Sequence, residues 1–302
     1  MLNQIRSGLR DAVRGRITGE GADERAAQIW LKPGERRFTD SDPIWWVHSD
    51  ASMFAGGVRA LLLQSLHPLA MAGVAGHSGF RSDPFGRLQR TSNFIAQTTF
   101  AVREDADRAI RIVTAVHKNV TGTTDDGRHY AASDPDLLLW VHAAEVDSFL
   151  NTYQRFGSKR LTADEADTYV AQTAGTAEAL GVRRAPRSVA ELGAVLADYR
   201  PELEASGESR DVARFLLREA PIPLVAKPGY LALALSAAAT LPHWALGMLG
   251  IPRIPAVTPV LGSVAGAGVV GVIRWIMSAP PASSQKELPN GEFPSDEWVP
   301  LT

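Results

Sequence analysis

The chain has 302 residues, 45% of them hydrophobic and 21% charged, no cysteine, and a formal net charge of −2. That length and apolar content suffice for one or two domains with a sizeable core. The lack of cysteine excludes disulfides, thiolate zinc sites, iron–sulfur clusters and cysteine nucleophiles, and near-neutrality gives no electrostatic case for binding nucleic acid.

The N-terminal segment MLNQIRSGLRDAVRGRITG is basic and amphipathic and reads as a helix over 2–14. It lacks the apolar run and small-residue cleavage site of a secretory signal, so the cytoplasm is the expected compartment. A helix over 22–31 follows, and Ser41-Asp42-Pro43 opens another over 42–48. The nearly apolar stretch 50–75 is expected to be one buried helix, kinked or ended by Pro68. Asp83-Pro84 and Asp134-Pro135 each place an acceptor at the N-cap and a proline at the first helical position, opening helices over 84–101 and 135–156. A helix over 104–120 lies between them, and the stretch 122–133 reads as a loop with an Asp-Gly turn. Thr162 and Glu165 form a capping box for a helix over 163–180. Further helices are expected over 188–198, 209–218, 224–248 and 257–277. No sustained period-2 run competes with them. The fold class is therefore all-α, a single multi-helix bundle over 1–278 with a poorly ordered tail over 279–302.

The stretches 229–250 and 256–277 are apolar, interrupted by prolines, and rich in glycine and alanine. Three readings stay open for them: a pair of buried helices, a peripheral membrane contact through residues 229–277, or a true span.

Several polar side chains fall on faces expected to be buried. His117 shares a helical stripe with Ile110, Val113 and Val120. A neutral imidazole there is either a hydrogen-bonded core histidine or a ligand for iron. Arg87, Arg90, Thr91, Phe94 and Thr98 form a second stripe, either a solvated face or a clamp for a carboxylate. Gln64 and His67 share a face just before Pro68, where a break would make a site wall. His142, with Leu138, Val146 and Phe149, is the rival to His117 as an iron ligand. His142 and Glu145 stand in the wrong order for the Glu-x-x-His di-iron motif. No P-loop, dinucleotide fingerprint, nucleophile elbow or zinc helix is present.

Four segments resemble, in order and spacing, the oxygenase MpaB and rubber-oxygenase (latex clearing protein) family. They are LLLQSLHPLAMAGVAGHSGF at 61–80, DPFGRLQRTSNF at 83–94, VHKNVTG at 116–122 and YAASDPDLLLWVHA at 130–143. A weaker match, LTADEADTYVAQTAGTAEALGV, covers 161–182. The resemblance implies an all-α bundle around haem b, with His117 in the place of the proximal ligand and Arg87 and Thr91 at the haem. Arg90 stands where rubber oxygenases carry a distal lysine. Their distal glutamate has no acidic counterpart in the 50–75 helix, where Gln64 and His67 are the nearest polar groups.

The expectation is thus a haem b-dependent oxygenase that uses dioxygen or peroxide on an apolar or aromatic small molecule. His117 holds the iron, Arg87 anchors a propionate or orders the distal side, Arg90 and Thr91 position oxygen or substrate, and His67 lines the pocket. The rivals are a haem-binding protein without turnover, with His67 or His142 as second ligand, and a cofactor-free helical protein that binds a lipid-like ligand.

Overall fold

The computed structural model describes residues 22–77, 83–252 and 257–277. The helix expected over 2–14 and the tail expected over 279–302 lie outside them. Among the described residues there are thirteen α-helices and one short hairpin. They are α1 (Ala22–Leu31), α2 (Pro43–Ser49), α3 (Met53–Gln64), α4 (Pro68–His77), α5 (Pro84–Phe100) and α6 (Arg103–Asn119), then strands β1 (Thr121–Thr123) and β2 (His129–Ala131). After these come α7 (Pro135–Phe156), α8 (Ala163–Leu180), α9 (Val189–Asp198), α10 (Gly207–Arg214), α11 (Lys227–Thr240), α12 (His243–Met248) and α13 (Val257–Met277).

The helix starts follow their local chemistry. The Asp83 carboxylate accepts from the Gly86 amide at 2.9 Å and Asp134 accepts from the Asp136 amide at 2.8 Å, each ahead of a first-turn proline. Thr162 and Glu165 satisfy each other's backbone amides at 3.2 and 2.8 Å, a complete capping box.

Two expectations change in detail. The 50–75 stretch is two helices meeting at 109°, with the break at 65–67. Pro68 has no amide to continue α3, so it starts α4 instead. The stretch 122–133 contains part of an antiparallel hairpin, with Gly122 opposite Tyr130 and Gly127 in the turn at φ +85°. Three-residue strands are too short to show a period of two in the sequence.

The core is built on α7. Gly56 lets α3 lie against it: a Cβ there would come within 2.7 Å of the Phe149 ring and 2.8 Å of Thr152 Oγ1. Three residues on, Arg59 is 1% exposed. Its guanidinium pairs with Asp147 at 2.7 Å, donates to Ser148 Oγ at 2.7 Å and donates to the Thr240 carbonyl at 3.1 Å. One side chain thereby joins α3, α7 and α11. A buried charge with all its partners is tolerated, whereas one left without them is costly.

The C-terminal pair packs through small residues. A Cβ on Gly262 would sit 2.1 Å from that of Ala239, and one on Gly266 would meet Phe156 at 2.4 Å and Ser236 at 2.8 Å. The inner face of α13 is thus fixed against α11 and α7. Its outer face is open: of the window Val260–Met277 only 22% is buried. Of the readings for 257–277, a wholly buried helix does not describe it.

Arg59→Ala is expected to lower unfolding free energy by about 3–5 kcal/mol, because it leaves Asp147 without its counter-charge. Urea denaturation measures this, and Arg59→Met with Asp147→Leu should recover most of the loss.

Candidate functional site

Helices α5, α6, α7 and α8 frame the region that holds the histidines. Ala101-Val102 joins α5 to α6, and the two pack as an antiparallel pair. At 1.5 Å per residue, Arg87 lies about 20 Å from the end of α5 and His117 about 21 Å from the start of α6. The two therefore share one level at the far end of the pair. His48 of α2 marks the opposite end. Its Nδ1 meets Thr99 Oγ1 of α5 at 2.8 Å, its Nε2 meets the Tyr169 hydroxyl of α8 at 3.3 Å, and its ring stands edge-on to Phe149 of α7. Leu138 packs on Ala174 and Ala177. Hence α7 runs parallel to α5 and antiparallel to α8. From the Phe149 level, Glu145 stands about 6 Å and His142 about 10 Å toward the His117 end.

The pair α5–α6 and the helix α7 form facing walls. Helix α8 packs on both α6 and α7, and α2 packs on both α5 and α7, while α7 makes little direct backbone contact with α5 or α6. Burial along these walls has a particular pattern. No side chain from Gly86 to Gln97 of α5, or from Arg111 to Asn119 of α6, is fully buried. The apolar residues among them, Phe94, Ile95, Ile112 and Val113, keep accessible surface although the helices are packed.

The titratable groups repeat this pattern. Burial pushes the His142 imidazole down to about 4 and the Glu145 carboxyl up to about 7, and it lowers His117 as well. Yet all three side chains keep accessible surface. These three groups stand at the margin of the packed core, desolvated by surrounding protein while each keeps some accessible surface. Burial, then the charge of Arg90, lowers Arg87, which stays protonated. Two imidazole nitrogens, Nδ1 of His117 and Nε2 of His142, are buried without a hydrogen-bond partner. Nitrogens in that condition are energetically unfavourable in a finished core and favourable beside a ligand.

The hairpin fixes the end of α6. Tyr130 lies over Gly122, where a Cβ would come within 2.4 Å of its hydroxyl, and over Gly76 of α4, at 3.0 Å. These glycines let the ring bridge α4 to the turn that follows His117. Nothing in the periodicity singles out Tyr130, because its partners are distant in sequence.

Not every site expected from sequence gathers in one place. Arg87 and His117 share one end of the α5–α6 pair, and His142 lies on α7 toward that end. Arg90 turns outward and pairs with Asp83 at 3.3 Å on an exposed surface, and Thr91 is also exposed. His67 lies in a different place, buried at the α3–α4 break between the rings of Trp140 and Tyr199. Trp140 and His142 are two residues apart and so point to nearly opposite sides of α7. The Gln64 side chain donates to the Val141 carbonyl at 3.1 Å and ties α3 to α7. A crevice of about 330 Å³ opens beside Arg59, Asp147 and Trp244 and is walled by that ion pair. Among the described residues no three or more His, Cys, Asp or Glu side chains cluster to hold a metal ion.

The fold is an all-helical domain in which His117 of α6 and His142 of α7 each keep one buried ring nitrogen without a partner. A family model described as "ER-bound oxygenase mpaB/B'/Rubber oxygenase, catalytic domain" matches residues 45–275. The chain belongs to that family, and it is an oxygenase-type catalytic domain. Among curated proteins and among solved structures nothing matches it.

The folded state holds His142 neutral to about pH 4. Its folded pKa lies below the unfolded value, so stability is lost as pH falls from about 6.5 toward 4. His142→Gln is expected to flatten this loss by on the order of 2–3 kcal/mol, read from urea melts at pH 7 and pH 4.5.

Proposed function

We propose that the protein is a haem b-dependent oxygenase acting on an apolar or aromatic small molecule, with His117 as the residue that would hold the iron. The observation that carries this reading is a pair of neutral imidazoles, on α6 and α7, whose buried Nδ1 (His117) and Nε2 (His142) have no partner among the described residues. Neutral imidazole is the form that binds iron. Arg87, a cation level with His117 at one end of the α5–α6 pair, suits a propionate carboxylate. The bound haem would supply activation of dioxygen or peroxide. The chain's own residues do the rest. His117 holds the cofactor from α6, and His142 presents a second nitrogen from α7. Phe94, Ile95, Ile112 and Val113 exclude water and receive an apolar substrate. Thr91 stands at the outer edge of the same helix.

The purified protein is expected to show a Soret band, and His117→Ala is expected to abolish it while leaving the circular dichroism unchanged. A protein that stays colourless after haem is supplied overturns this reading. Retention of the band in His117→Ala and its loss in His142→Ala reverses the ligand assignment. A second reading, haem binding without turnover, draws on His142 as sixth ligand. A six-coordinate spectrum that resists cyanide and an absence of oxygen uptake with any apolar substrate would favour it.

The cellular place follows from α13. Val260, Leu261, Val264, Val272 and Trp275 are exposed along one charge-free side of the helix, and Leu231 and Leu235 of α11 are exposed on its partner helix. An apolar face of this extent suits a bilayer better than water. We read the enzyme as cytoplasmic, with peripheral membrane contact through α11 and α13 that gives access to an apolar substrate. The protein is expected to sediment with phosphatidylcholine–phosphatidylglycerol vesicles, and Leu261→Asp with Val264→Asp is expected to release it. Equal sedimentation of wild type and double variant removes α13 from the contact.

A further inference from the structure

The crevice beside the Arg59–Asp147 pair has no part in the site built on His117: neither His117, Arg87 nor His142 lines it. It opens where α7, α9 and the turn from α11 to α12 meet. Its volume, about 330 Å³, is at the small end of the range of ligand pockets.

The charges along its wall do not cancel. Asp147 is satisfied within the protein: Arg59 pairs with one carboxylate oxygen at 2.7 Å, and the Asn151 amide donates to the other at 2.8 Å. That pair is neutral, and Arg200 is left over. It is exposed just past the end of α9 and has no carboxylate partner among the described residues. What holds it is the indole of Trp244, with the guanidinium carbon 4.2 Å from the ring centroid. A guanidinium laid on an indole is oriented by the ring and keeps its N–H edge for an anion, and a planar carboxylate matches that edge. The remaining surface is largely apolar, with Leu196 and Ala197 of α9 and Pro242 ahead of α12.

Gly193 lines the same space from the middle of α9. Glycine weakens a helix interior, and no packing requires this one. A Cβ on Gly193 would meet no atom within 4 Å, whereas one on Gly56 or Gly262 would collide with its neighbours. The missing side chain leaves that side of the crevice open.

We propose that this crevice binds a small carboxylic acid as its anion. The carboxylate meets Arg200, and a short apolar body lies against Trp244, Leu196 and Pro242. Binding is non-covalent. An occupant braces α7, α9 and α12 around the ion pair that ties α3 to α7, so it stabilises the folded chain by mass action. The inference stands apart from the haem reading and needs no cofactor.

The test is isothermal titration of the full chain with benzoate and hexanoate, and with benzamide, which keeps the shape of benzoate without its charge. Wild type is expected to bind at least one of the acids saturably and to melt at a higher temperature in its presence. Benzamide is expected to bind about tenfold more weakly than benzoate, or less. Arg200→Ala is expected to lose about tenfold in affinity or more. Gly193→Leu fills the crevice from a position where its Cβ touches nothing, and it is expected to abolish binding. Both variants should melt like wild type without ligand, and if Arg200→Ala melts early, Gly193→Leu decides alone. Failure of both acids to bind wild type overturns the proposal. So does equal binding of benzamide, or binding that survives both substitutions. Loss of binding in Arg87→Ala but not in Arg200→Ala would put the acid at the proposed haem site and overturn it as well.

Discussion

The guanidinium of Arg59 is the interaction on which the rest of the structure depends. It is buried on α3, and its partners come from two other elements: Asp147 and Ser148 on α7 and the Thr240 carbonyl at the end of α11. Such a tie fixes more than distance. It sets the rotation of α7 about its axis, because Asp147 must face α3. Glu145 is two residues away, so its side chain is carried about 200° round and faces the opposite side. His142, five residues back, points away from Arg59 for the same reason. A buried ion pair is weak as a source of net stability and strong as a constraint on geometry, since any other rotation strands a charge.

The protein deals with its buried polar groups in two ways. Around Arg59, and again where Arg274 meets Asp50 at 2.9 Å, every charge has its counterpart and the groups serve assembly. Between α5–α6 and α7 the opposite holds. His117 and His142 keep ring nitrogens without partners, and Glu145 keeps a carboxyl without a counter-ion. Helices α5 and α6 are joined by Ala101-Val102, the hairpin stretch 120–134 leads from α6 to α7, and α2 and α8 pack between these walls. The unpartnered nitrogens on α6 and α7 are the groups on which the proposed site rests.

The C-terminal helices carry a second constraint. Gly262 and Gly266 allow α13 to lie close on α11 and Phe156, and the Arg274–Asp50 pair fastens its far end to the loop before α3. These contacts consume one face of α13. The remaining face is apolar and charge-free along its length, and it belongs to the same body as His117 and His142. A substrate of low polarity and a surface of low polarity are consistent with each other.

The sequence by itself determined the local structure and the inventory. Caps at Asp83, Asp134 and Thr162 with the prolines beside them place the helix starts within a residue or two, because capping is decided by neighbours along the chain. The stripe through Ile110, Val113 and His117 faces inward as its periodicity requires, and the family match confirms the class to which the motifs point. Tertiary structure decided the company each residue keeps. His67 and His142 read alike along the chain, yet one is wedged between Trp140 and Tyr199 and the other keeps a buried ring nitrogen without a partner. Arg90 could have pointed either way and was drawn out by Asp83. Glu145 could be weighed only against its own helix, where its spacing from His142 fits no known motif. That it has no cationic partner among the described residues is a fact about distant segments, and only packing brings those segments near or keeps them away.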